Sequence, residues 1–296
     1  MNGLIDGGPA IACVGGGHGL SATLRAARTI AGELTAIVSV ADDGGSSGRL
    51  RDDLGILPPG DLRRCLSALA ASDSVLGRAL EHRFDQGELK EHAVGNLLLA
   101  GLIDHGVPVE DALAEVATLV GAVGSVLPAA TVPVMLSGRG NRSGFVEGQV
   151  QVQEAQGVDQ VEIRPADPPT PQAAVDALLA ADLVTLGPGS LFTSVLAATI
   201  VPGVARALAA TAATRVLVLN LGPQARETEH LGPDDHVRLA RDHGAAFDVV
   251  LADPRFAPSA TDDGVEVVVR PVGADHGAVH DPTRLAAALS DLLRRG

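Results

Sequence analysis

Five short runs, at 11–14, 35–40, 183–186, 215–220 and 247–251, are almost continuously apolar and are separated by longer stretches with helical periodicity. A strand covered on both faces reads this way, because neither face can turn polar side chains to water, and parallel strands flanked by helices are the usual case. Helical patterning falls at 19–30, 61–71, 95–105, 109–120, 171–180, 204–213, 234–243 and 283–294. The alternation predicts a Rossmann-like three-layer α/β/α fold with a mostly parallel sheet. One region departs from it. Residues 131–164 show period-two alternation at 145–152 and a glycine-rich turn at 138–144, which predicts a small antiparallel β excursion within a single α/β domain spanning 1–296. Asp61, after Pro58-Pro59-Gly60, reads as an oxygen-bearing helix cap, and Gly106 as a helix stop.

Composition removes several function classes. With 46% hydrophobic residues in 296, the chain can bury a large core, and no apolar run reaches the roughly 20 residues of a membrane span. The first ten residues lack the basic start and apolar stretch of a secretory signal, so a cytoplasmic protein is expected. The net charge is −14 without a Lys/Arg stripe, which argues against a nucleic-acid partner and for a small molecule. Cys13 and Cys65 read as buried small hydrophobes. Trp and Tyr are absent and only five Phe occur, so a planar ligand ring would rest on aliphatic, Arg, Pro or backbone surfaces.

Three polar turns fall at the carboxyl ends of predicted strands, where open α/β sheets collect ligands. The first is Gly15, Gly16, Gly17, His18 and Gly19, whose backbone N–H groups at a helix start suit a phosphate. Leu20 stands where the dinucleotide fingerprint has its last glycine. The second is the segment 42–51, read as a glycine-rich loop: Asp42, Asp43, Gly45, Ser46, Ser47 and Arg49 combine two acids, two hydroxyls and a guanidinium. Asp42 lies at the distance of a ribose-binding acid, and Asp42 or Asp43 could hold Mg²⁺ beside a phosphate. Adjacent strand residues point to opposite sides, so one of the two acids faces a ligand and the other caps a turn. Asp42, Asp43 and Arg49 are therefore the catalytic candidates if there is chemistry. The third turn is Gly187, Pro188, Gly189, Ser190 and Leu191, with Ser190 placed to cap the next helix or to touch a ligand. Asn96 and Asn220 are polar residues in apolar settings, read either as ligand contacts or as partners of backbone groups.

The stretches Gly15–Leu20, Val40–Arg51, Pro58-Pro59-Gly60-Asp61-Leu62-Arg63, Gly95-Asn96-Leu97-Leu98, Val126-Leu127-Pro128 and Gly187-Pro188-Gly189-Ser190-Leu191, in that order, resemble the gluconeogenesis-factor family, relatives of the 2-phospho-L-lactate transferases. The resemblance implies a cytoplasmic protein that binds UDP-sugars such as UDP-N-acetylglucosamine and affects carbon partitioning, cell-wall precursor supply and cell shape. The alternative it implies is a Mg²⁺-dependent transfer of a phospholactate-type group to a deazaflavin alcohol. On the first reading no cofactor is required; self-association and protein partners stay open. The chain departs from the family pattern at His18, at Leu221 to Gln224, at Leu231 and at Val279.

Overall fold

The computed structural model describes residues 3–259 and 264–295. Strands β1 (Ala10–Gly15), β2 (Glu33–Val38) and β3 (Ser125–Pro128) lie to one side of a seven-stranded parallel sheet. Three more strands, β4 (Met135–Gly140), β5 (Gly144–Glu147) and β6 (Gln160–Arg164), form a separate antiparallel sheet in the order β5-β4-β6. The main sheet continues through β7 (Leu183–Leu186), β8 (Thr214–Val218), β9 (Val249–Ala252) and β10 (Glu266–Val269), giving the order β10-β9-β8-β7-β1-β2-β3.

The helices are α1 (Gly17–Ala27), α2 (Gly45–Leu54), α3 (Gly60–Leu69), α4 (Val75–Ala79), α5 (Val94–Asp104), α6 (Val109–Val120), α7 (Gln149–Glu154) and α8 (Gln172–Ala180). A π-helical turn, Leu191–Leu196, runs into α9 (Ala197–Thr199), followed by α10 (Pro202–Ala210), α11 (Pro233–Asp242) and α12 (Pro282–Leu293). Helix α1 packs between α3 and α12, and Leu20, Leu24, Leu62 and Leu66 are fully buried with the strand residues Val14 and Ile37. Cys13 and Cys65 are buried and unpaired, and burial pushes the Cys13 thiol up to about 12, leaving it inert. Among the described residues no single helix is long and apolar enough to cross a bilayer.

The strand order reverses at β1, which lies between β2 and β7; β1 and β7 pair in parallel, with Cys13 opposite Thr185 although 172 positions separate them in sequence. Val14 pairs with Ile37 on one side and with Leu186 on the other, so the turns after β1, β2 and β7 leave the sheet at one level. This is the topological switch point of an open α/β sheet.

Three local expectations change. The segment read as a loop over 42–51 is helical from Gly45: Gly44 is extended at the N-cap, and Gly55, at φ +68°, ends α2 in the left-handed region. The alternation at 145–152 is a strand only to Glu147, because Gly148 at φ +105° turns the chain and α7 begins beneath a cap supplied from another part of the molecule. Helix α3 starts at Gly60 with Pro59 at its N-cap, so Asp61 does not cap its own helix. Strands β3 and β10, four residues each, were not predicted, since neither carries more than two buried positions and each run is too short to register.

Candidate functional site

The turns after β1, β2 and β7 line a cleft of about 650 Å³, to which α7 and residues 83 and 91 also contribute. Helices α1, α2 and α3 and the Leu191–Leu196 turn all begin at this cleft. Helix starts carry unpaired N–H groups and the positive end of the helix dipole, so they favour anions. Three side-chain carboxylates already meet that demand in part. Asp61 Oδ2 accepts from Gly17 N–H at 2.7 Å, capping α1 rather than α3. Glu227 accepts from Phe192 N–H at 2.9 Å and Thr193 N–H at 3.2 Å, at the start of the Leu191–Leu196 turn. Asp42 Oδ1 takes Gly44 N–H at 3.0 Å, one residue ahead of α2, and α2 itself has no side-chain cap.

Of the predicted residues, Gly16, Gly17, His18, Gly19, Asp42, Gly45, Ser46, Ser47, Gly189 and Ser190 line the cleft. The others do not. Asp43 faces away, and its carboxylate receives Gln149 N–H at 2.8 Å and Val150 N–H at 2.9 Å, capping α7. Arg49 lies on the exposed side of α2, with its guanidinium on the Lys90 carbonyl at 3.0 Å, because the helical turn rotates it out of the space that a loop would have left it. Leu191 is core, 4% exposed. Gly15 and Gly187 tie the strand ends together, Gly187 N–H donating to Val14 O at 2.9 Å and Gly15 O accepting from Ser39 N–H at 2.8 Å. Asn220 clamps Gly189, accepting from its N–H at 3.1 Å and donating to its carbonyl at 2.8 Å. Asn96 is buried behind Ser46, donating to its Oγ at 3.0 Å while accepting from Arg63 Nε at 3.2 Å.

Sequence reading missed Asp61, Arg64, Arg83, Gln149, Gln153 and Gln224, all of which line the cleft. Asp61 and Arg64 sit in or beside the Pro-Pro-Gly-Asp motif, which offered a signal; Gln224 is marked only as a departure from the family pattern, and nothing local marks Arg83, Gln149 or Gln153. Arg64 Nη1 is 2.6 Å from Asp61 Oδ1, and Arg83 is held by the Glu91 carbonyl at 2.6 Å. Gly60 is required by close approach, since a Cβ there would meet Ser47 Oγ and lie 2.9 Å from Asp42 Oδ2. The departures from the family pattern divide in the same way: His18 and Gln224 face the cleft, Leu221 and Leu231 pack on the core, and Val279 is 62% exposed.

Burial, reinforced by the charge of Asp61, raises the Asp42 pKa above its ordinary value, against hydrogen bonds from Gly44 and Ser47. His18 is lowered by burial and by Arg64, so the ring is neutral at pH 7 with one donor and one acceptor nitrogen. Asp42 and Asp61 both line the cleft, close enough for the charge of Asp61 to act on Asp42. Among the described residues no group of three or more His, Cys, Asp and Glu side chains forms a metal site. Mg²⁺ commonly takes only one or two carboxylates together with phosphate oxygens and water, so the residues present fit it when a phosphate is also bound.

Residues 11–288 match the family described as 2-phospho-L-lactate transferase CofD. The putative gluconeogenesis factor of Mycobacterium tuberculosis is 44% identical over 312 residues, covering 96% of this chain and 90% of that protein. The gluconeogenesis factor of Bacillus subtilis is 37% identical over 273 residues, covering 90% and 86%. A crystal structure of a UPF0052-family protein from Bacillus halodurans superposes with a TM-score of 0.87 at 32% identity, covering 95% of this chain and 98% of that one.

Proposed function

Because the chain belongs to the CofD family and is similar to gluconeogenesis factors along most of its length, we propose that it binds a UDP-sugar of the UDP-N-acetylglucosamine type in the cytoplasm and acts as a regulatory factor in carbon partitioning, wall-precursor supply and cell shape. The observation that carries this reading is the uncapped start of α2, with Ser46 and Ser47 in its first turn, opening into a cleft that Arg64 and Arg83 also line. Backbone N–H groups at a helix start and planar guanidinium donors are the chemistry that holds a diphosphate. Asp61 and Glu227 already serve the starts of α1 and of the Leu191–Leu196 turn, which leaves the starts of α2 and α3, neither with a side-chain cap of its own, as the places for phosphate. The cleft is within the roughly 300–1,000 Å³ range of small-molecule sites. No Phe side chain lines it, so a uracil would be read through its imide edge by amides such as Gln149, Gln153 or Gln224, each with a donor and an acceptor.

A ligand that binds only the folded state at a hundredfold excess over Kd adds about 2.7 kcal/mol, which for a chain of this size raises Tm by roughly 5 °C. UDP-sugars are expected to do so in a thermal-shift panel, and NAD(P) is not. An unchanged Tm with UDP-sugars beside a clear rise with a dinucleotide would sink the reading.

The Asp42 and Asp61 pair favours a second reading, a phospholactate-type transferase. Bound Mg²⁺ would supply charge neutralisation at a transferring phosphoryl group. Asp42 and Asp61 would hold it, while Arg64 and the α2 start would orient the phosphate. Protonated Asp42 cannot serve as that ligand. Its raised pKa means that Mg²⁺-dependent binding strengthens as pH climbs through a window above the ordinary carboxylate value of about 3.9. The stability sign is opposite: a carboxyl with a raised folded pKa binds its proton more tightly when folded, so its contribution declines as pH rises through the same window. Asp42→Asn is therefore expected to raise the apo Tm at pH 8 while weakening ligand binding about tenfold and abolishing any Mg²⁺ effect. Calorimetry with and without Mg²⁺, beside a product assay with a deazaflavin alcohol, separates the readings: Mg²⁺-dependent turnover lost in Asp42→Asn selects the transferase.

A further inference from the structure

The buried carboxylate of Glu227 changes what the turn after β7 can recognise. Glu227 is 1% exposed and its described partners are Ser190 Oγ, which donates at 2.6 Å to Oε1, and the N–H groups of Phe192 and Thr193. Arg226 precedes it in the left-handed region at φ +69°, with its own side chain turned outward to Glu154 at 2.9 Å. A non-glycine residue in that conformation is uncommon, and here it delivers the next side chain inward.

Proton accounting then sets the polarity of the neighbouring hydroxyls. Ser190 has one hydroxyl hydrogen, and an ionised Glu227, which the donors Ser190, Phe192 and Thr193 favour against the burial that raises its pKa, receives it. Ser190 Oγ and Thr193 Oγ1 are also in hydrogen-bond contact, so Thr193 must be the donor in that pair. The Thr193 hydrogen therefore points to Ser190 Oγ and the Ser190 hydrogen to Glu227, although Ser190 and Thr193 both line the cleft. What Thr193 Oγ1 offers to the cleft is lone pairs.

We propose that the Thr193–Ser190–Glu227 relay is an acceptor site for a hydroxyl or amide N–H of the ligand's sugar, and that it discriminates a glycosylated phosphate from a bare one. The proposal rests on the sugar-nucleotide reading for the identity of the ligand, and on the relay alone for its polarity. It assigns the turn after β7 to the sugar, where glycine content by itself suggests a second phosphate cradle. A phosphate there would meet lone pairs and a buried carboxylate, both repulsive to it.

The test compares two probe pairs by calorimetry: UDP-N-acetylglucosamine against UDP, and N-acetylglucosamine 1-phosphate against inorganic phosphate. The wild type is expected to prefer the glycosylated member of at least one pair by about tenfold, the worth of one good hydrogen bond. Thr193→Val keeps the shape and removes the acceptor, so the preference should vanish while UDP or phosphate binding stays within about twofold. Glu227→Gln can donate to Ser190 and so reverse the relay; it should also lose the preference and bind the bare phosphate more tightly. If Glu227→Gln fails to fold, Thr193→Val decides alone. A wild type with no preference in either pair, or a preference that Thr193→Val retains, overturns the proposal. A preference confined to the uridine-free pair, with no binding of either uridine compound, would sink the UDP-sugar reading and leave the relay standing.

Discussion

Arg63→Ala is expected to cost about 3–5 kcal/mol of stability, a large part of the 5–15 kcal/mol available to a folded domain. Arg63 is 1% exposed, the largest side chain among the fully buried ones. Its stem passes over Gly95, where a Cβ would be 2.5 Å from Arg63 Cγ, and its guanidinium pairs with Glu81 and donates through Nε to Asn96. Truncation leaves a cavity and unpairs a buried amide. The effect reaches the cleft residue Ser46 through two hydrogen bonds. Arg63 fixes which end of the Asn96 amide faces Ser46; Asn96 donates to Ser46 Oγ, and Ser46 Oγ lies 3.0 Å from His92 Nδ1. Burial and Arg49 lower the His92 pKa, in keeping with a neutral ring that accepts from Ser46. Arg63→Met should recover part of the stability by filling the volume, but not the affinity, because nothing then orients Asn96. Urea denaturation and calorimetry on both variants check this. Full affinity in Arg63→Met would show that the chain of bonds does not position Ser46.

Gly19→Ala is expected to destabilise the apo-protein by about 3 kcal/mol, although alanine is the better helix former. A Cβ at this position would run into the Pro188 carbonyl and lie 2.9 Å from Gly189 Cα. Both obstacles are backbone, so α1 must move off the turn after β7. That separation pulls Gly16 and Gly17 away from Ser190 and Thr193, and ligand binding should fall with the stability. Chemical denaturation without ligand distinguishes the two roles a glycine can have here. A glycine needed only for close approach of phosphate would leave the apo-protein as stable as wild type.

The parallel sheet and the position of the cleft are legible along the chain. Continuous apolar runs report burial on both strand faces, and a polar glycine turn after such a run reports a strand end. Both signals are local, so β7 is predicted to the residue and the turns after β1, β2 and β7 are recognised as the ligand-collecting edge. Which side chains enter the cleft is another matter. Asp42 and Asp43 are adjacent and chemically alike, yet one faces the cleft and the other caps α7, because successive residues of an extended chain point to opposite sides. Arg49 was credible only while 42–51 was a loop. Once Gly45 begins a helix, Arg49 turns outward, and the guanidinium groups at the cleft come from Arg64 and Arg83 on other segments. The turn after β7 looks like a phosphate cradle until Glu227, 37 residues beyond Ser190, folds back to take its donors. Backbone conformation follows from neighbours in the chain, whereas the direction and protonation partners of a side chain follow from neighbours in space, and those exist only after the sheet has brought distant turns together.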